Sequence, residues 1–132
     1  MATSILGYVS SRALLLAPCL LLQGAPAQAA SPFDGTYAGP QVETKNNNSG
    51  HCLHINRDRV TLVVKDGVAK YKWGVPLEAP VAADGSFFDQ EKGLAIAGAS
   101  PSIIIKGRIT GPKLEADVGT PACAAHLSLT RL

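Results

Sequence analysis

Two short runs, His51-Cys-Leu-His54 and Cys123-Ala-Ala-His126, hold the residue types best suited to chemistry in this chain. If the two runs meet, two thiols and up to three imidazoles share one region. Such a set suits zinc or copper, which take sulfur and nitrogen donors. In an oxidising compartment the same cysteines would instead join as one disulfide and leave no thiolate to bind a metal. The Cys52–Cys123 disulfide is the expected state, and no metal or other cofactor is expected. The set His51, Cys52, His54, Cys123 and His126 stands as the rival reading, a periplasmic metal-binding protein. Two features weaken it: the spacings are unlike those of compact zinc modules, and His126 falls on the opposite strand face from Cys123.

Catalytic patterns are thin. Gly98-Ala-Ser-Pro-Ser102 falls short of the Gly-x-Ser-x-Gly elbow and has no strand-to-helix turn behind it. There is no His-Glu-x-x-His, phosphate loop or dinucleotide fingerprint, and a Cys-His nucleophile is disfavoured because each cysteine has a partner. The chain is therefore expected not to be an enzyme. Two groups of residues suggest binding instead. Arg57, Arg59, Lys65, Lys70 and Lys72 concentrate positive charge, as a solvated outer face or as a binding face for an anionic partner such as a polysaccharide or acidic protein. Tyr71, Trp73, Phe87 and Phe88 would fill a core, or line a small apolar pocket if the fold is an open-mouthed barrel.

The elements that must position these residues are strands. Val60 to Trp73 carries Asp66-Gly67 between two apolar runs, the signal of a two-residue type I′ hairpin. That turn places Lys65 opposite Val68, Val64 opposite Ala69, Leu62 opposite Tyr71 and Val60 opposite Trp73. One face collects Val60, Leu62, Val64, Ala69, Tyr71 and Trp73, so a one-residue slip would scramble it. Gly111-Pro112 sets a second hairpin by a type II′ turn, pairing Ile109 with Leu114, Gly107 with Ala116 and Ile105 with Val118. The same register sets Arg108 against Glu115 and Lys106 against Asp117 as opposite-charge pairs.

Around these hairpins, Phe33 to Gly39 reads as a turn into a short strand, and Pro40 to Gly50 as a loop. His51 to Asn56 is a second strand candidate. Val75 to Ala83, interrupted by Pro76 and Pro80, reads as an edge strand or long connection. Asp84-Gly85 repeats the two-residue turn, with Ala82 opposite Phe87 and Val81 opposite Phe88. Leu94 to Gly98 is a short small-residue strand. Ala122 to Arg131 points Cys123, Ala125, Leu127 and Leu129 inward and His126, Ser128 and Thr130 outward. The fold class is all-β: an antiparallel, meander-like small barrel or sandwich of about eight to ten short strands, stapled by one disulfide. Pairing the first strand with the last would close it and remove exposed edges.

Residues 1–29 read as a cleavable export signal: Arg12 ends a short n-region, Ala13 to Leu22 is apolar, and Ala27-Gln-Ala29 fits a cleavage site. The apolar core is too short to span a membrane. A lipobox reading of Leu16-Ala-Pro-Cys19 is disfavoured by the proline and by the apolar run that continues past the cysteine. Residues 30–132 are then a single exported domain, periplasmic or secreted, with no membrane span and expected to be a monomer. Without Arg12, eleven basic residues face ten acidic ones. That balance argues against nucleic acid as a partner. Thirteen glycines and nine prolines among short apolar runs suit many tight turns.

Phe33-Asp-Gly-Thr-Tyr-Ala-Gly39, a cysteine, Val64-Lys-Asp-Gly-Val68, Ala83-Asp-Gly-Ser-Phe87, Gly107-Arg-Ile-Thr-Gly111, a second cysteine and Leu127-x-Leu-x-Arg131 form a pattern. It resembles small exported all-β proteins of proteobacteria with no established activity, and it implies no catalytic residues. At the level of architecture, the early Gly-x-Tyr strand and the disulfide also resemble small periplasmic protease-inhibitor barrels and lipocalin-like binders. The expected function is binding of a small ligand or protein partner. The alternatives are the metal-binding protein above and an inhibitor-like or envelope interaction protein.

Overall fold

The computed structural model describes residues 30–47, 52, 55–95 and 98–132. Eight strands form one antiparallel sheet: β1 (Gly35–Asn46), β2 (Arg57–Lys65), β3 (Val68–Trp73), β4 (Val75–Pro80), β5 (Ser86–Lys92), β6 (Ser102–Thr110), β7 (Lys113–Gly119) and β8 (Cys123–Arg131). Their order is β4-β3-β2-β1-β8-β7-β6-β5, so the first and last strands are neighbours at the centre. That pairing runs from Tyr37–Arg131 to Asn46–Cys123, but it does not remove the edges: they are β4 and β5, brought together in a nearly closed barrel. The two edges, β4 and β5, meet at a seam of one bridge, Val81–Phe87. There Asp89 reaches across, its carboxylate accepting from the Glu78 N–H at 2.9 Å. Pro76 and Pro80 sit on edge strand β4, where a missing donor is tolerated.

Turn chemistry sets both main hairpins. Asp66 and Gly67 have φ of 52° and 75°, as a type I′ turn requires. Val64 pairs with Ala69 and Lys65 with Val68. At the second hairpin Gly111 has φ of 56°, and Ile109–Leu114, Gly107–Ala116 and Ile105–Val118 pair as expected. The charged residues stand opposite one another but choose other partners. Arg108 reaches Asp84 at 3.4 Å, while Glu115 and Asp117 both turn to His126.

Several connections differ from expectation. The stretch from Pro40 is strand as far as Asn46, because β1 stays paired with β8 past Gln41, where its ladder with β2 ends, and absorbs its irregular residues as register shifts at Gly39/Gln41 and Glu43/Lys45. The second strand begins at Arg57; Cys52, Ile55 and Asn56 lie outside it, and the rest of the His51–Asn56 candidate is outside the described residues. Val81, not Ala82, faces Phe87. Only Gly85 of the Asp84-Gly85 pair has positive φ, at 83°, so the loop has three residues. Asp84 uses its carboxylate on the Ser86 N–H at 3.0 Å instead of adopting the left-handed conformation. Leu94, Ala95 and Gly98 are not in a strand.

The two ends of the barrel differ. At one end the tight turns gather, and the chain before β1 folds across them. Asp34 accepts from the N–H groups of Asp66 and Gly67 at 3.0 and 2.9 Å. Arg131 on β8 donates to the Tyr37 hydroxyl and to the Pro32 carbonyl, and its guanidinium lies 5.3 Å from the Tyr37 ring centre. The Tyr37 hydroxyl in turn donates to the Phe33 carbonyl at 2.8 Å. Beneath this plug Leu62, Val64, Leu77, Ile105, Ile109, Leu114, Val118, Leu127 and Leu129 are buried and fill the interior. Gly107 leaves room there, since a Cβ would come within 2.5 Å of the Phe87 ring and 2.6 Å of Ala116. At the opposite end lie the two long connections, after β1 and after β5, and the described residues leave the interior unfilled.

Candidate functional site

The open end encloses a cavity of about 1000 Å³. Its first cause lies in the hairpin. The β2–β3 ladder runs from Lys65–Val68 only to Val63–Lys70, so the strands part beyond it. The inward faces continue as Val60 on β2 and Tyr71 and Trp73 on β3, all three half-buried and all lining the cavity. Thr61 and Lys72, which would have paired, also line it. Leu62–Tyr71 and Val60–Trp73 are therefore not ladder pairs, although their side chains keep the expected inward direction. Ile55, Leu94, Pro101 and Ile103 add apolar wall from the longer connections and from β6.

The second cause is Gln41, which follows Tyr37 and Gly39 on the inward face of β1 and is only 4% exposed. A buried amide must be fully bonded. Its Nε2 donates to the Ile55 carbonyl and its Oε1 accepts from the Tyr71 hydroxyl. One side chain thus ties β1 to the 52–56 segment and to β3. Burial raises the Tyr71 pKa above its ordinary 10.0, with nearby Arg57 opposing the shift, so the hydroxyl keeps its proton. Asn56 reinforces the same connection by accepting from the Glu43 N–H at 2.7 Å.

The third support is the disulfide. Cys52 and Cys123 are joined with Cα atoms 5.4 Å apart, and both residues form part of the cavity wall. With the thiols consumed, the metal reading loses its sulfur ligands. His126 lies on the outer face of β8, with Nδ1 2.8 Å from Asp117 Oδ1 and Nε2 2.7 Å from Glu115 Oε2. Among the described residues no group of three His, Cys, Asp or Glu side chains could hold a metal ion. His51 and His54 lie outside the described residues.

The remaining sequence candidates divide. Tyr71 and Trp73 line the cavity, whereas Phe87 is buried against Gly107 and Phe88 points outward, 53% exposed. Of the basic residues, Arg57, Arg59 and Lys72 line the cavity. Lys65 stands beside the turn at the closed end, and Lys70 lies 3.9 Å from Glu78. The basic face and the pocket, separate in the sequence reading, therefore overlap at the open end of the barrel. Gln41 was missed, since its stretch reads as loop; its i, i+2 alternation with Tyr37 and Gly39 is the signal that could have found it. No carboxylate and no imidazole stands among the described lining residues. The chain finds no significant match among protein-family models, curated proteins or solved structures.

Proposed function

We propose that this chain is an exported, non-catalytic binding domain that holds a small, largely apolar ligand in the open end of its barrel. The observation that carries the reading is the cavity of about 1000 Å³ walled by Ile55, Val60, Trp73, Leu94 and Ile103. Ligand sites fall in the range of about 300–1,000 Å³, mostly apolar with a few fixed polar groups. Gln41 and the Tyr71 hydroxyl supply such groups here. Thr61, Ser100 and Thr120 line the cavity with no carboxylate or imidazole among the described lining residues to activate a hydroxyl. The disulfide suits an oxidising compartment, in keeping with a periplasmic or secreted location.

Trp73 is the chain's one tryptophan and stands in the cavity wall, so the protein carries its own reporter. Titration with the neutral apolar probe N-phenylnaphthylamine should quench Trp73 fluorescence saturably at one site per chain. Ala122→Phe, which adds bulk at the wall, should weaken that binding. No saturable signal, or binding indifferent to Ala122→Phe, would overturn the proposal.

A further inference from the structure

Resting on the ligand-binding reading, we infer that the cavity selects single-chain amphiphiles with a carboxylate head, the head held at the parted β2–β3 edge by Arg57, Arg59 and Lys72. All three residues line the cavity and are exposed to solvent. Among the described residues none of them makes an ion pair; the bridges that form engage Lys70, Arg108 and His126 instead. Arg57 stands opposite the buried Gln41, and the register shift of the β1–β2 ladder lies between it and Arg59 on the same strand. Lys72 comes from the neighbouring strand, where the ladder has ended and Thr61 and Lys72 no longer pair.

The charges are one-sided. The described lining holds three cations and no carboxylate, in a chain whose overall charge is close to balanced. An arginine fork matches a carboxylate in two parallel bonds. Beyond the cations the wall is mostly apolar, from Val60 and Trp73 to Ile103 and Pro101. A charged mouth leading to an apolar interior complements an anionic head on an apolar tail. A wholly apolar ligand would leave the three cations without a partner, and a small polar anion would leave the wall unused.

The test displaces N-phenylnaphthylamine from the whole protein, read by Trp73 fluorescence, with dodecanoate, dodecanol and dodecyltrimethylammonium below their aggregation limits. Dodecanoate should displace it at concentrations about tenfold lower than dodecanol, and the cationic amphiphile should be weakest. Raising the salt concentration should narrow the dodecanoate advantage. In the triple variant Arg57→Gln/Arg59→Gln/Lys72→Gln the dodecanoate-to-dodecanol ratio should fall toward one. In Lys65→Gln/Lys70→Gln/Lys106→Gln, which removes as many charges away from the cavity, the ratio should hold. Equal displacement by all three amphiphiles, or an advantage that the two variants lose alike, would overturn the head-group inference and leave the apolar site standing. Failure of N-phenylnaphthylamine itself to bind would overturn both. The salt series needs only the unsubstituted protein, so a variant that failed to fold would not rescue the inference.

Discussion

On the outer face of β7 and β8, His126 is held between Asp117 and Glu115. The hydrogen bond to Asp117 is the main cause that raises its pKa above the ordinary 6.5, with Glu115 adding to it and partial burial opposing. A raised folded pKa means the interaction stabilises fully below the unfolded value and is lost as pH rises through the folded one. The imidazole should titrate in NMR with a midpoint above 6.5, and Glu115→Gln with Asp117→Asn should bring it back toward that value. Stability should fall slightly as the pH passes above the folded midpoint. The effect is small because the His126 side chain is 41% exposed and solvent screens the pair. The outward placement of His126 was legible in strand alternation. Its carboxylate partners were not, because register alone left Glu115 to Arg108 and Asp117 to Lys106, and reach across β7 and β8 decided the matter.

At the scale of elements, the clearest device is Asp34, which lies before the first strand yet caps the turn between the second and third. Its two carboxylate bonds satisfy turn N–H groups that the type I′ geometry leaves pointing outward. Asp34→Ala should cost about 1 kcal/mol in urea unfolding, and Asp34→Asn less, since the amide keeps one acceptor oxygen. The Asp66-Gly67 hairpin itself was readable because turn type and apolar alternation agree on one register. The Asp84-Gly85 hairpin was misjudged by one residue for a local reason: Asp84 bonds Ser86 through its side chain and so has no need of positive φ. The start of β1 was readable from Thr36 and Tyr37, but not its extent. Pro40 and the asparagines after it look like loop, and only pairing with β8 holds β1 extended as far as Asn46.

For the whole molecule, the disulfide joins the long connection after β1 to the start of β8, with 71 residues of separation. Chain entropy puts its contribution at roughly 4 kcal/mol as an upper figure. Cys52→Ser/Cys123→Ser should lower unfolding stability by up to about that amount. It should also weaken N-phenylnaphthylamine binding, since both cysteines belong to the cavity wall; urea unfolding and the Trp73 titration measure the two effects. The all-β class, the two main registers, the inward face of β8 and the pairing of the cysteines follow from the sequence by itself. Each depends on contacts set by a turn, by alternation or by simple pairing of two like residues. The cavity, the burial of the Gln41 amide and the meeting of Arg57, Arg59 and Lys72 with Tyr71 and Trp73 were decided only by the tertiary structure. They depend on where a strand ladder stops and on which long connections cross one end of the barrel. Alternation carries no record of either, because residues that separate from their partners keep the same apolar and polar pattern as residues that pair.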